Sequence, residues 1–129
     1  MSDYTILNIT DVEDQAASHG LGPGLESRFA RNPLGTTKLG VTRFEIGPGF
    51  RVPFGHSHGE HEEVYVVVKG SARIKLDDEI KDLREWDLIR IAGPVVRALE
   101  GGPDGAEILA VGAPIPADSG AFIQDWWKD

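Results

Sequence analysis

The chain has 129 residues, no cysteine and a formal net charge of −8, with a pI near 4.9. A single domain of this size buries a core without covalent staples, and the missing thiols exclude disulfides and thiolate catalysis and leave the redox compartment unread. The acidic balance argues against nucleic acid, which needs a basic footprint, and against anionic membrane surfaces.

The start, Met-Ser-Asp-Tyr, has no basic n-region or apolar h-region, and no later run approaches membrane-spanning length. A cytoplasmic protein is expected. Sixteen glycines and eight prolines cut the chain into many short segments, which favours an all-β fold over a helical bundle. Residues 4–9 read as a first strand. The polar stretch 11–24 leaves room for one helical turn around 12–16, and the isolated His19 reads as an exposed loop residue. Residues 25–31 alternate as a strand, Asn32-Pro33-Leu34-Gly35 turns it, and 36–46 form a second long strand ending at Gly47-Pro48-Gly49.

The run 64–68 lacks clean alternation and is expected to be buried on both faces. Within it Glu63, Tyr65 and Val67 share one face by parity. Gly70-Ser71 reads as a turn into a half-exposed strand, 72–76; Asp77-Asp78 turns again into 80–83. After Glu85-Trp86-Asp87 come strand 88–91, a break at Ala92-Gly93-Pro94, a strand over 95–100, a turn over 101–105 and a last strand over 106–111. The tail closes on Asp125-Trp126-Trp127-Lys128-Asp129, and two tryptophans in such a place are expected to clamp it onto the domain or a partner.

Three of the four histidines fall in Gly55-His56-Ser57-His58-Gly59-Glu60-His61-Glu62-Glu63, just before the strongest β-forming run. Side chains at i and i+2 of a strand share a face, so His56 and His58 can point to one interior. Glu63 opens the next strand after a short polar turn. Two imidazoles and a carboxylate converging from adjacent strands suit Fe, Mn, Zn, Ni or Cu. The competing reading is a polar turn with its histidines in solvent. His61 has the wrong parity to join Glu63 and reads as a surface residue.

His56-x-His58, four residues, Glu63, six residues and Gly70 resemble the first motif of the cupin superfamily. That motif also has a glycine ahead of the first histidine, and Gly49 stands one residue early for it. The resemblance implies an all-β fold, a single cupin-type β-barrel or jelly roll. Residues 1–129 would form one domain, with the core barrel over about 36–113, N-terminal strands in 4–35 and a C-terminal tail over 114–129. It also implies His56, His58 and Glu63 as metal ligands, joined in many cupins by a later histidine.

The second cupin motif is degenerate. Aligned on Asp87, its five marker positions fall on Trp86, Ala92, Pro94, Arg97 and Gly101, and every marker residue has changed. Arg97 stands where the fourth ligand would be. A guanidinium has no lone pair to offer a metal and repels one; at ~5 Å and an effective dielectric of ~20, two unit charges interact by roughly 3 kcal/mol. A metal site is therefore expected to be weakened. Arg97 has three readings: an ion pair with Glu63 in a metal-free barrel, a three-ligand site with open positions, or a bidentate hold on a ligand's carboxylate or phosphate. A fourth, with Arg97 turned outward by a register slip, remains open.

Two functions from different classes follow. One is a metal-dependent oxygenase, isomerase or lyase acting on a small anionic molecule, with Arg97 orienting it and Tyr65 as candidate proton donor. The other is a non-catalytic small-molecule binding or sensing protein built on the same pocket. A purely structural homodimer is a third possibility. A homodimer is expected in any case, because two-fold dimers are the commonest assemblies of soluble proteins.

Overall fold

A computed structural model of the protein describes residues 3–116 and 118–127. Eight strands follow in order: β1 Leu25–Phe29, β2 Gly40–Ile46, β3 Phe54–Ser57, β4 Glu63–Leu76, β5 Glu79–Arg84, β6 Leu88–Ile91, β7 Arg97–Gly112 and β8 Ala121–Gln124. One helical turn, α1 Arg31–Leu34, and two 3-10 turns, Ile9–Asp11 and Ala17–His19, are the helical elements of the described residues. All strand pairings are antiparallel, with the path β1-β2-β7-β3-β8 and with β4 joining β5, β6 and β7. The sheet curls on itself as the all-β expectation requires.

The long pair β4 and β7 forms the spine. Directly opposed residues of an antiparallel pair share a face, and the register sets Val67 against Ile108, Ile74 against Leu99 and Tyr65 against Ala110. All six are buried. Leu25 faces Ile46 across β1 and β2 and adds to the same core. Each fully buried Val or Ile stabilises the fold by roughly 1.5–3 kcal/mol. The other face of β4, carrying Val64, Val66 and Val68, is only half-buried, so the expectation of burial on both faces holds for one of them.

Two expected turns are bends inside strands. β4 passes through Gly70-Ser71, and β7 passes through residues 101–105 without reversing. Gly70 and Gly105 each take φ +77 and stand against each other at a shift in register. A left-handed residue within a ladder makes a bulge and sharpens the twist. The glycine signals were real, but they curl the barrel rather than end its strands.

At the N-terminus the expected strand over 4–9 is absent. Residues 4–8 pair with nothing, Tyr4 and Ile6 are exposed, and a 3-10 turn follows. Their alternation had no neighbouring strand to complete it. The helical turn sits at Ala17–His19 instead of 12–16, and His19 is exposed as expected. The turn at Asn32-Pro33-Leu34-Gly35 is the helical turn α1, closed by Gly35 in the left-handed region, which delays β2 to Gly40.

The C-terminal tail contains a strand not expected from its sequence. β8 lies within it and adds an edge strand beside β3. Trp127 Nε1 donates to Val52 O at 2.9 Å, and the Arg51 guanidinium lies 4.8 Å from its ring centre. Lys75 Nζ donates to Trp126 O at 2.5 Å and sits 4.4 Å from the Trp126 ring. The expected tryptophan clamp is onto the domain itself. Met1, Ser2, Lys128 and Asp129 lie outside the described residues.

Candidate metal centre

β3 carries His56 into the interior face, opposite Arg97 at the start of β7. His58 follows the end of β3, its backbone N–H tied to Gly93 O at 2.8 Å. Glu63 opens β4, registered against both Ile91 of β6 and Gly112 of β7. Three strands thus deliver the residues read from the sequence, and the ligand atoms of His56, His58 and Glu63 all lie within 4.8 Å of one another.

Glu63 Oε1 is the meeting point. His58 Nε2 lies 3.2 Å from it, the Tyr65 hydroxyl donates to it at 3.4 Å, and Arg97 Nη1 stands 3.8 Å away. His58 Nε2 is buried yet makes no aligned hydrogen bond. Adjacent ligands bonded at ~2.0–2.2 Å to one ion are separated by roughly 3.0–3.5 Å. The His58–Glu63 spacing falls in that range.

The electrostatics agree. Burial pushes the His56 imidazole down to about 4; Glu63 pulls the other way and Arg97 adds to the depression. His56 is therefore neutral near pH 7. Burial alone would raise the Glu63 carboxyl, but His58, Arg97 and His56 together hold it below its ordinary value. Tyr65 is raised, first by burial and then by Glu63, so it remains a phenol that donates.

This has a consequence for stability. Between about pH 6.5 and 4 the unfolded chain binds a proton at residue 56 that the folded chain refuses. His56 thus contributes nothing adverse above pH 6.5 and costs stability as pH falls through that window. The full shift corresponds to roughly 3 kcal/mol. Urea unfolding is expected to show a falling midpoint from about pH 7 to about pH 5 in the metal-free protein, with a shallower fall in His56→Gln. Equal slopes would remove His56 as the cause.

Arg97 and Tyr65 depart from expectation. They are 0% and 2% exposed, so neither presents surface to a ligand. Arg97 donates through Nη2 to Ala92 O at 2.8 Å, and its Nε and Nη1 have no hydrogen-bond partner. This burial counts against a bidentate grip on a substrate and against Tyr65 as its proton donor; among the readings of Arg97 the geometry favours the ion pair with Glu63, and Tyr65 supports the same carboxylate. The parity was right, since Arg97 faces the interior. Its depth was not legible, because it depends on β3 and the long β7 closing over it.

His61 is not a surface residue. Its side chain is 9% exposed, its ring lies 3.9 Å from the His58 ring, and its Nδ1 stands 2.9 Å from Asp118 Oδ2. The other oxygen of Asp118 accepts from Glu60 N–H at 2.7 Å. His58, His61 and Asp118 form a second trio whose ligand atoms lie within 4.8 Å of one another. Asp118 comes from the tail, and no local pattern in the sequence marked it.

A curled antiparallel barrel with an interior histidine–carboxylate set defines the class. No family model matches the sequence, and no curated protein matches it significantly. Solved structures do. A sugar phosphate isomerase of the cupin superfamily from Silicibacter pomeroyi is 21% identical, with a TM-score of 0.74 over 92% of this chain and 81% of that one. A cupin protein from Bacteroides fragilis is 22% identical, with a TM-score of 0.73 over 100% of this chain and 99% of its own. KdgF from Halomonas sp. is 15% identical, with a TM-score of 0.67 over 86% and 95%. The chain has the cupin fold, as its first motif implied. Among the described residues no helix is long and apolar enough to cross a membrane.

Proposed function

We propose that the protein is a metal-dependent cupin enzyme acting on a small anionic molecule, with His56, His58 and Glu63 holding one divalent ion. The observation that carries this reading is the convergence of the His56, His58 and Glu63 ligand atoms within 4.8 Å of one another, with Glu63 held in its charged form. A bound ion would supply Lewis-acid polarisation of a substrate oxygen. The chain's own residues do the rest. Neutral His56 offers a lone pair, and His58 would supply the second imidazole ligand; Tyr65 and Arg97 lie against the Glu63 carboxylate, and Arg97 helps keep it charged. The likeness to a sugar phosphate isomerase supports an anionic substrate and an isomerase among the candidate reactions, with oxygenase and lyase chemistry beside it.

Charge favours an anion even though Arg97 cannot touch one. A divalent ion held by two imidazole nitrogens, together with the Glu63 carboxylate and the Arg97 guanidinium beside it, leaves about two positive charges at a largely buried cluster. An anionic ligand offsets them at an effective dielectric well below that of water.

The second reading, a metal-free binding protein, draws on the Arg97–Glu63 pair, which is already neutral without an ion. Elemental analysis of protein purified without a histidine tag, followed by calorimetric titration of zinc, separates the two. Bound metal near one per chain supports the first; no metal and no heat supports the second. Arg97→His is expected to bind zinc at least about tenfold more tightly, by adding a ligand and removing repulsion, and to bind acetate more weakly. Arg97→Met nearly keeps the volume and removes the charge, together with the hydrogen bond to Ala92 O, without adding an imidazole ligand, so a gain in both variants assigns the effect to repulsion. Unchanged zinc affinity in both would mean that Arg97 does not oppose the ion.

A further inference from the structure

The geometry points to Phe122 as a substrate-contacting wall of this site, and to a ligand that carries an apolar or aromatic group beside its anionic one. This rests on the reading of the site as a metal-dependent pocket for a small anion. Phe122 lies in β8, directly opposite His56 of β3, and on its other side His56 is opposite Arg97 of β7. Opposed residues of antiparallel strands share a face. Arg97, His56 and Phe122 therefore form one row across three strands, on the interior side.

The environment changes steeply along that row. Arg97 is sealed, His56 is mostly buried, and Phe122 is 74% exposed. The Phe122 ring is 6.2 Å from the His56 ring at an interplanar angle of 33°, and 5.5 Å from the Phe54 ring. It is held at its flank and bare elsewhere. A bare phenyl ring adds little to the fold, and covering it is favourable. Its place beside a candidate ligand residue, not on the outer wall, makes a bound small molecule the covering group.

Neighbouring side chains in such a row are ~5 Å apart. A molecule anchored by its anion at the His56–His58–Glu63 trio thus meets Phe122 with whatever lies two or three bonds further on. An apolar or planar group there would stack on the ring or pack against it. Phe54, on the same face of β3, extends the apolar wall.

The test compares propionate with 3-phenylpropionate, which differ by one phenyl ring, titrated calorimetrically into the zinc-loaded protein. In wild type the phenyl acid is expected to bind about tenfold more tightly. In Phe122→Ala that advantage is expected to fall to about twofold or less, with propionate affinity unchanged, and to return largely in Phe122→Tyr. An advantage that persists in Phe122→Ala overturns the proposal. Propionate binding with no gain from the phenyl group overturns it while leaving the metal and anion reading intact. If neither acid binds zinc-loaded wild type, the anion part of that reading falls and takes the proposal with it. Light scattering on Phe122→Ala covers the remaining occupant: a mass that drops by half would assign the ring to a contact between two copies of the chain and overturn the proposal.

Discussion

If the trio holds zinc as proposed, His58→Ala is expected to lower zinc affinity by at least about a hundredfold, beyond the range typical for loss of a residue that only supports a ligand. The reason is that His58 belongs to both trios, one with His56 and Glu63 and one with His61 and Asp118. Removing it leaves each with two ligand atoms. His56→Ala damages only the first trio and is expected to cost less. Calorimetry at about pH 7, where His56 is neutral, checks the order. His56 and His58 lose their assignment as ligands if the bound stoichiometry survives in both variants.

Gly70→Ala is expected to damage the fold severely. Gly70 takes φ +77, and a Cβ there would lie 2.1 Å from the carbonyl oxygen of Gly105, a backbone atom that cannot swing away. Gly35 has the same φ with no atom within 4 Å of its would-be Cβ. Gly35→Ala therefore isolates the cost of the left-handed backbone, about 1–2 kcal/mol. Gly70→Ala adds the forced separation of β4 from β7 and is expected to cost about 4 kcal/mol or more in total, a fall of roughly 10–20 °C in Tm. If the two variants melt within a few degrees of each other, the close approach of the two bulges is not rigid.

What was legible in the sequence follows the range of the forces involved. His56, His58 and Glu63 were found because strand parity is local and a short turn brings the next strand back. Gly70 was found by its motif spacing, yet its role was misread, since a turn and a bulge ask the same backbone freedom of glycine. The residues 101–105 misled for the same reason: Gly105 bends β7 without ending it. Arg97 was placed on the right face, with Glu63 among its expected neighbours, but its depth was not legible, because the depth of a side chain is set by strands distant in sequence. Asp118 and Phe122 left no trace. Each acquires meaning only when the tail returns to β3, and no periodicity within residues 113–124 records that return.

The tail is fastened differently from the barrel. β4 and β7 are held by interlocked core residues, whereas all four residues of β8 are exposed. Its ties are a short ladder to β3, the Asp118 clasp on Glu60 and His61, and the two tryptophans, with Trp126 packed where any side chain at Gly55 would stand. Segments with few buried contacts open at free energies well below global unfolding. Amides of β8 should then exchange with solvent while those of β4 and β7 stay protected. Each such opening lifts Phe122 from His56 and Asp118 from His61, and uncovers the back of β3 at Gly55. The barrel is expected to outlive the site that β8 and Asp118 complete, and exchange of the β8 amides measures how often that site comes apart.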